Sequence, residues 1–399
     1  LQPVKGVLPI ALSAREEGFK GVIVPVKNAR EAAVVSGLDV YGMEKLGDVL
    51  DFFNGLRQFE PVKVDIDSLF REEANRYDID FSDVRGQENV KRALEVAAAG
   101  HHNLLMIGPP GAGKTMLAKR VASIMPPLTL EEALETTKIH SVAGKIDDHT
   151  ALMTRRPFRS PHHTISDVAL VGGGTVPQPG EISLGHNGVL FLDELPEFKR
   201  TVLEVMRQPL EDRIITISRA RSTCDYPASF MLIASMNPCP CGYYNHPERE
   251  CMCNAGMRQK YLNRISGPLL DRIDIHIEVV PVKYDKLADN LSSERSSVVR
   301  ERVVRAREIQ AKRFASVKGI YANAQMTASM QRKYCRLDEA GGKLLRTAMN
   351  IRGLSARAYD RILKLARTIA DLAESENISA EHISEAINYR NLDREGWAG

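Results

Sequence analysis

Short apolar runs alternate with helical patterns through the middle of this 399-residue chain, over residues 81–285. Five of these runs have the length and composition of buried strands. They are Asn103–Ile107, Gly188–Leu192, Ile214–Ile217, Phe230–Ala234 and Ile273–Val280. Strands that alternate with helices are typical of a parallel sheet with helices on both faces. The pattern therefore predicts an α/β fold for this part of the chain.

Two smaller regions flank this body. Residues 1–58 also have an α/β pattern but are too few to close a sheet, and we interpret them as the last part of a larger domain. Their expected elements are an apolar run at Val7–Ile10, a strand at Lys20–Pro25 and helices at Ala11–Glu17, Asn28–Val35 and Gly42–Gly55. Residues 59–80 are polar with little periodicity and are predicted to be a linker. Residues 286–399 begin with a charged helix and continue as a small all-α domain.

Composition and charge narrow the class of protein. Apolar residues make up 43% and charged residues 26%, which excludes a disordered chain, a collagen-like fibre and a disulfide scaffold. No apolar run approaches the ~18 residues of a membrane span, and no charged-then-apolar leader follows Leu1. We therefore expect a cytoplasmic protein without a membrane partner. The net charge of +3 does not indicate a nucleic-acid binder, so only local basic segments could.

A phosphate-binding motif follows the first predicted strand of the body. It matches G-x-x-x-x-G-K-[ST] and consists of Gly108, Pro109, Pro110, Gly111, Ala112, Gly113, Lys114 and Thr115, with Met116 opening the next helix. Glycines let backbone N–H groups curl around phosphate oxygens, and the helix N-terminus adds partial positive charge. In this pattern Lys114 reaches the β- and γ-phosphates, and Thr115 offers its hydroxyl to Mg²⁺. The motif predicts ATP and Mg²⁺ as cofactors.

Polar residues end two further predicted strands. Asp193 and Glu194 follow Gly188–Leu192, where an aspartate can hold Mg²⁺ and a glutamate can polarise the attacking water. Asn237 ends the strand that begins at Phe230 and could orient that water. Alternatively, Asn237 could be only a turn residue before Pro238. The three residues complete a predicted site for ATP hydrolysis.

Four of the six cysteines lie close together in two C-x-C pairs. They are Cys239, Cys241, Cys251 and Cys253. Four thiolates can form a closed tetrahedral Zn²⁺ site, and His246 could replace one of them. The alternative is four reduced thiols that pack a loop.

Two basic segments are candidates for contact with a phosphate backbone. The first carries Arg155, Arg156, Arg159, His162 and His163 and leads into a run of glycines at 172–174. The second is a predicted β-hairpin that begins at Ile214 and carries Arg219 and Arg221 near its tip. Such loops could bind single-stranded or branched DNA. Both could equally be solvated charged loops.

Taken in order, these elements resemble the AAA+ superfamily, and longer segments are similar to its ComM/YifB family, which is called magnesium-chelatase-like. The segments are RPFRSPHHTISD (Arg156–Asp167), GEISLGHNGVLFLDELPEF (Gly180–Phe198), MNPCPCGYY (Met236–Tyr244) and ISGPLLDRIDIHIEV (Ile265–Val279). The resemblance covers nearly the whole chain. It implies a P-loop NTPase core of the helix-2-insert branch with an all-α lid. It also implies a homo-hexameric, ATP-driven DNA motor associated with branch migration in natural transformation.

The resemblance also implies roles for single residues. Lys114 and Thr115 would be Walker A, Asp193 and Glu194 Walker B, and Asn237 sensor 1. Arg272, in LLDRID, would be an arginine finger that reaches a neighbour's ATP, and Arg357, in LSARA, would be sensor 2. On the residues alone, a salt bridge from Arg272 to Asp271 or Asp274 is the competing interpretation.

Residues 1–58 resemble the end of the Lon-protease-like domain that this family carries ahead of its motor. The position of the Lon catalytic lysine falls near Leu8, although Lys5 is close by. We therefore expect a non-proteolytic scaffold. A chelatase-like or chaperone-like motor that remodels a protein partner is the main alternative to a DNA motor, because the phosphate chemistry is the same in both.

Overall fold

The computed structural model describes residues 1–73, 77–147, 150–175, 177–219, 222–282, 293–317 and 319–390. The first elements are α1 (Val7–Glu16), β1 (Gly21–Pro25), α2 (Val26–Ala32), β2 (Asp39–Met43) and α3 (Leu46–Phe53). Strands β1 and β2 pair in parallel, with Gly21 opposite Asp39. The predicted strand at Lys20–Pro25 is confirmed, whereas the run at Val7–Ile10 begins α1. The helix expected from Gly42 begins only after β2, because this short segment forms a second strand that pairs with β1.

The segment 59–80 contains a helix, α4 (Ile66–Glu73). Ile66 and Leu69 pack in an apolar cluster with Val34 and Leu128. Their spacing of three residues is one helical turn, so the expectation of little periodicity was wrong here. This segment lies against both the N-terminal region and the body.

The body is built on one parallel sheet of five strands. Its elements are α5 (Glu88–Gly100), β3 (Leu104–Ile107), α6 (Lys114–Ile124), α7 (Leu130–Ala143), β4 (Phe158–Arg159), α8 (Asp167–Val171), β5 (Gly172–Gly173), β6 (Gln178–Pro179), α9 (Glu181–Leu184), β7 (Val189–Leu192), α10 (Arg200–Val205), α11 (Arg207–Asp212), β8 (Ile214–Arg219), β9 (Ser222–Pro227), β10 (Met231–Met236), α12 (Ala255–Leu262), α13 (Gly267–Leu270) and β11 (Ile275–Glu278). The strand order is β11-β3-β10-β7-β4. The predicted α/β core, with a parallel sheet between helices, is confirmed.

The sheet buries both of its faces. Leu104 and Met106 of β3 belong to one apolar cluster, together with residues of α5 and α6. Leu105 and Ile107 of the same strand belong to a second cluster, with residues of α10 and α12. This alternation follows from the two-residue period of a strand, and burial on both faces explains the continuous apolar runs in the sequence.

The run at Ile214–Ile217 lies outside this sheet. It forms β8, which pairs with β9 as an antiparallel hairpin whose register sets Ile214 opposite Pro227. The predicted hairpin is therefore present. Arg221 and the side chain of Arg219 lie outside the described residues.

The C-terminal region is helical, as predicted. It comprises α14 (Ser296–Phe314), α15 (Ala328–Tyr334), α16 (Glu339–Arg352), α17 (Ala356–Leu372) and α18 (Ala380–Asn388). Helix α14 packs on α5 and α6, and α17 packs on α5. Among the described residues, none of the helices combines the length and apolar character needed to cross a bilayer.

Candidate active site

The phosphate loop leaves the carboxyl end of β3 and is shaped by glycine. Gly111 and Gly113 have φ values of +79° and +87°, a region that residues with a Cβ rarely adopt. At Gly108 a Cβ would come within 2.2 Å of the Val279 carbonyl oxygen, so β11 also excludes a side chain there. Gly113 precedes the first turn of α6, which directs that helix's unpaired N–H groups into the loop.

Lys114 lies buried under this loop. Its ammonium donates to the carbonyl oxygens of Gly108, at 2.7 Å, and Pro109, at 3.0 Å, and to Oδ1 of Asn237 at 3.1 Å. Burial lowers the pKa of Lys114, while the nearby carboxylates of Asp193 and Glu194 oppose that shift. A phosphate would offer this ammonium an anionic partner in place of neutral carbonyls, and such hydrogen bonds are the stronger ones.

Asp193 follows β7 and faces the threonine of the motif. The Thr115 hydroxyl donates to Asp193 Oδ2 at 2.7 Å. The backbone N–H of Glu194 donates to Oδ1 at 3.0 Å, and the Ser235 hydroxyl donates to the same oxygen. A hydroxyl and a fixed carboxylate are the hard oxygen donors that Mg²⁺ prefers, so Thr115 and Asp193 fit a magnesium ion bound beside the phosphates.

Glu194 projects beyond the strand in a constrained conformation. Its φ is +53°, and its side chain is 57% exposed. Residues in this region are uncommon and cluster at functional sites. Nδ1 of His163 lies 3.5 Å from Glu194 Oε2. An accessible carboxylate next to the phosphate loop can accept a proton from water.

The approach of His163 to Glu194 was not predicted from the sequence, where His163 was only part of a basic segment. The residue follows the short strand β4, which pairs in parallel with β7. Parallel strands end at the same edge of a sheet, so the segment after β4 brings His163 close to Glu194, just beyond β7. Because β4 has only two residues, the sequence carries too weak a signal to locate it.

Two arginines of that basic segment serve the fold. Arg156 has a side chain only 3% exposed and binds Glu132 with N–O distances of 3.0–3.1 Å. Arg159 forms a paired contact with Glu181 at 2.6 and 2.7 Å. Their expected contact with DNA phosphates is therefore wrong for Arg156, and Arg159 is already neutralised by a carboxylate.

Arg272 and Arg357 lie together at the other edge of the sheet. Arg272 pairs with Glu211 and donates to the Pro268 carbonyl at 2.6 Å. Arg357 is 66% exposed and contacts Asp271 at 3.0 Å. The predicted alternative partners of Arg272 were wrong, because Asp271 is bound to Arg357 and Asp274 to Arg361 at 2.8 Å.

The sheet separates these arginines from the phosphate loop of their own chain. The Arg272 carbonyl accepts from Asn103 Nδ2 at 3.0 Å, and Asn103 precedes β3. The phosphate loop begins after Ile107, at the far end of that strand. At about 3.3 Å per residue, the two ends are more than about 10 Å apart. The Arg272 backbone thus lies at the opposite end of β3 from the loop that holds Lys114, and Arg357 is joined to the neighbouring Asp271.

The four clustered cysteines form a compact group. Their Sγ atoms all lie within 4.8 Å of one another, and Cys239 and Cys253 are buried. Cys239 Sγ lies 3.3 Å from that of Cys241 and 3.6 Å from that of Cys251. Four thiolates about 2.3 Å from a tetrahedral zinc would be about 3.8 Å apart, so the group fits this ion. Nδ1 of His246 accepts from the backbone N–H groups of Glu248 and Arg249 instead.

Comparison with known families gives two matches that together span the body and the helical region. Residues 80–287 match the family described as magnesium chelatase, subunit ChlI. Residues 293–390 match the family of the ChlI C-terminal region. The family of the body thus covers more than half of the chain.

Individual relatives extend the match to nearly all residues. The chain is 44% identical to the competence protein ComM of Haemophilus influenzae over 99% of its length and 76% of that protein. It is 43% identical to the uncharacterised protein YifB of Escherichia coli over 99% of its length and 75% of that protein. A shorter match, 33% identical, covers 35% of this chain and 26% of Lon protease 2 of Bacillus subtilis.

Proposed function

The chain belongs to the ComM/YifB family of magnesium-chelatase-like AAA+ ATPases, and we propose that it is an ATP-hydrolysing motor that acts on DNA. The observation that carries the ATPase assignment is the convergence of Lys114, Thr115, Asp193, Glu194 and Asn237 at one sheet edge. The name of its relative ComM, a competence protein, supports work on DNA during transformation.

Within this proposal each residue has a separate task. Backbone N–H groups of the phosphate loop and Lys114 bind the phosphates, and Thr115 and Asp193 hold Mg²⁺. When bound, the ion supplies positive charge that neutralises the phosphate oxygens. Glu194 takes a proton from the attacking water, and the Asn237 amide orients that water. The 3.1 Å contact between Asn237 and Lys114 supports this shared site.

Arg272 and Arg357 act on a neighbouring subunit in this account. Their position across the sheet from the chain's own phosphate loop favours action in trans. A guanidinium is planar and permanently charged, so it can stabilise charge on the transferred phosphoryl group. We therefore propose a ring of identical subunits, a homo-hexamer, in which hydrolysis depends on assembly.

DNA is proposed to contact the inserts of the body. His162 is exposed, and the β8–β9 hairpin forms a separate two-stranded sheet next to the main one. The proposed substrate is single-stranded or branched DNA, with branch migration as the activity. If the motor remodels a protein partner instead, DNA will leave its ATPase rate unchanged.

Residues 1–58 are proposed to be the end of a Lon-like domain without protease activity, with the ATPase core over 81–285 and the lid over 286–399. The match to Lon protease 2 supports a Lon-like origin. The position of the Lon lysine falls near Leu8, with Lys5 close by, and Leu8 is fully buried in α1. A buried leucine cannot activate a nucleophile.

The four-cysteine group is proposed to bind one zinc ion. The support is the distances between its sulfur atoms and the burial of two of them. A closed set of four thiolates is typical of structural rather than catalytic zinc.

The proposal is tested by measuring ATP hydrolysis with no DNA and with single-stranded, duplex and four-way-junction DNA. We expect a basal rate that DNA increases, most for the branched form. Glu194→Gln is the matched control, because it keeps the phosphate loop intact. A basal rate that no DNA changes would favour the protein-remodelling motor.

A further inference from the structure

The cysteine loop, residues 238–254, connects two parts of the nucleotide site. It begins directly after Asn237, at the end of β10, and it ends where Asn254 caps α12. Cys239 lies two residues beyond Asn237 and is fully buried. Only Pro238 therefore separates Asn237 from Cys239, the first proposed zinc ligand.

The same loop also packs against the phosphate loop. Gly242 has a φ of +83°, and a Cβ there would lie 2.5 Å from Cδ of Pro110. The Gly242 N–H donates to the Cys239 carbonyl at 3.0 Å, which closes a turn around the first cysteine pair. The backbone of the cysteine loop thus touches the second proline of the phosphate loop.

Helix α12 holds the other end of the loop. Arg258 donates to the Cys253 carbonyl at 2.9 Å, and its guanidinium lies 4.3 Å from the ring of Tyr244. The backbone of Asn237 hydrogen-bonds to the Tyr261 hydroxyl, and burial raises the pKa of that phenol. Asn237 therefore sits between the first cysteine pair and the helix that follows the second pair.

Little apolar packing holds this long loop. Within 238–254, only Cys239 and Cys253 are buried apolar side chains, whereas Met252 is 90% exposed. A loop of this length without helix or strand in a compact domain needs another source of order. A bound metal ion that joins its two ends supplies such order, because metal-binding free energy acts as folding free energy.

We propose that zinc bound by the four cysteines makes the cysteine loop a positioning element of the ATP site, which fixes Asn237 and Pro110 in place. The inference rests on the ATPase and zinc proposals above. Loss of the metal leaves the sheet and Lys114 intact but lets Asn237 move. Misplacement of an orienting group by about 1 Å can lower a rate roughly a hundredfold.

The first test compares Cys251→Ser with Met252→Ala, which shortens the neighbouring, 90% exposed side chain of the same loop outside the group. Zinc content, ATP hydrolysis and binding of a non-hydrolysable ATP analogue are measured for each. We expect Cys251→Ser to lose zinc and to lose roughly tenfold to a hundredfold in kcat, with a much smaller change in analogue affinity. Met252→Ala keeps both zinc and rate. Loss of zinc with an unchanged kcat would overturn the inference.

A double-mutant cycle separates positioning from general destabilisation. If zinc acts through Asn237, the effects of Asn237→Ala and Cys251→Ser on kcat will not add, since both remove the same orientation. Additive losses would contradict this route.

A spectroscopic test leaves all four cysteines in place. Wild-type protein is loaded with Co²⁺ in place of zinc, and its visible absorption bands are recorded as the ATP analogue is added. We expect the bands to shift in the wild type and to stay constant in Lys114→Ala. Constant bands in wild type that binds the analogue would overturn the coupling. If the purified wild-type protein contains no zinc, the zinc proposal is wrong. If the wild-type protein contains zinc but does not hydrolyse ATP, the motor proposal is wrong.

Discussion

Arg272→Ala should abolish hydrolysis while it changes the folded subunit little. In the single chain Arg272 forms one ion pair with Glu211, whose side chain is 64% exposed, and one bond to the Pro268 carbonyl. The Arg272 side chain is only 12% exposed, but its removal leaves Glu211 in solvent, so the ion pair contributes about 0–1 kcal/mol and the carbonyl bond about 1 kcal/mol more. The structure therefore predicts a loss of at most about 2 kcal/mol in the free energy of unfolding.

The expected loss in rate is much larger. Arginine fingers contribute roughly 10³–10⁵ in kcat, which corresponds to about 4–7 kcal/mol of the activation barrier. Because Arg272 lies at the opposite end of β3 from its own phosphate loop, we expect this loss to arise at the neighbouring subunit. Nucleotide affinity of the isolated subunit should stay the same. Arg272→Lys keeps the charge but not the planar fork, so it should restore little activity.

A mixing assay distinguishes this role from a local salt bridge. Arg272→Ala retains an intact phosphate loop, and Lys114→Ala retains an intact Arg272. When the two are mixed, some interfaces contain one functional half from each, and part of the ATPase rate should return. Arg207→Ala is the control, because it removes another arginine–glutamate pair of the same chain, with Glu204, and should keep full activity. The reasoning is refuted if the variants co-assemble and the mixture remains inactive.

Four further variants, Lys114→Ala, Glu194→Gln, His163→Ala and His102→Gln, test the site and the fold that supports it. Lys114→Ala should abolish ATP binding, whereas Glu194→Gln should bind ATP normally and barely hydrolyse it; near-normal turnover in the latter would assign the base elsewhere. His163→Ala should lower kcat by up to about tenfold with an unchanged KM for ATP, because it removes the contact that orients Glu194; an unchanged kcat would contradict this. Burial lowers the pKa of His102, although Asp274 opposes the shift, so the unfolded chain binds more protons than the fold below pH ~6.5, and thermal stability should fall as pH drops from 7 to 5. Thermal stability should fall less steeply with pH in His102→Gln. An identical slope would show that His102 does not cause the pH dependence.

The strands that carry the site could be predicted because they are buried on both faces. A continuous apolar run such as Val189–Leu192, followed by Asp193, predicts a buried strand that ends at a polar residue. The glycines of the phosphate motif predict the conformation of its loop. The edge strand β4 escaped prediction because two residues carry no periodicity. Without β4, the contact between His163 and Glu194 could not be predicted either.

Ion-pair partners could not be predicted, because they depend on how distant segments pack. Arg156 has the sequence context of an exposed basic loop, yet it pairs with Glu132 in the interior. Arg272 has carboxylates on either side in sequence, yet its partner Glu211 comes from α11. Helix α4 was missed for a related reason, since its apolar residues matter only once Val34 and Leu128 lie beside them.

A branch-migration assay shows whether ATP hydrolysis at this site drives movement on DNA. A synthetic four-way junction with one fluorescent strand is incubated with the protein, Mg²⁺ and ATP, and the release of labelled duplex is followed. We expect release that requires ATP, stops with a non-hydrolysable analogue and is lost in Glu194→Gln. Robust DNA-independent ATPase activity with no release of labelled duplex would contradict it.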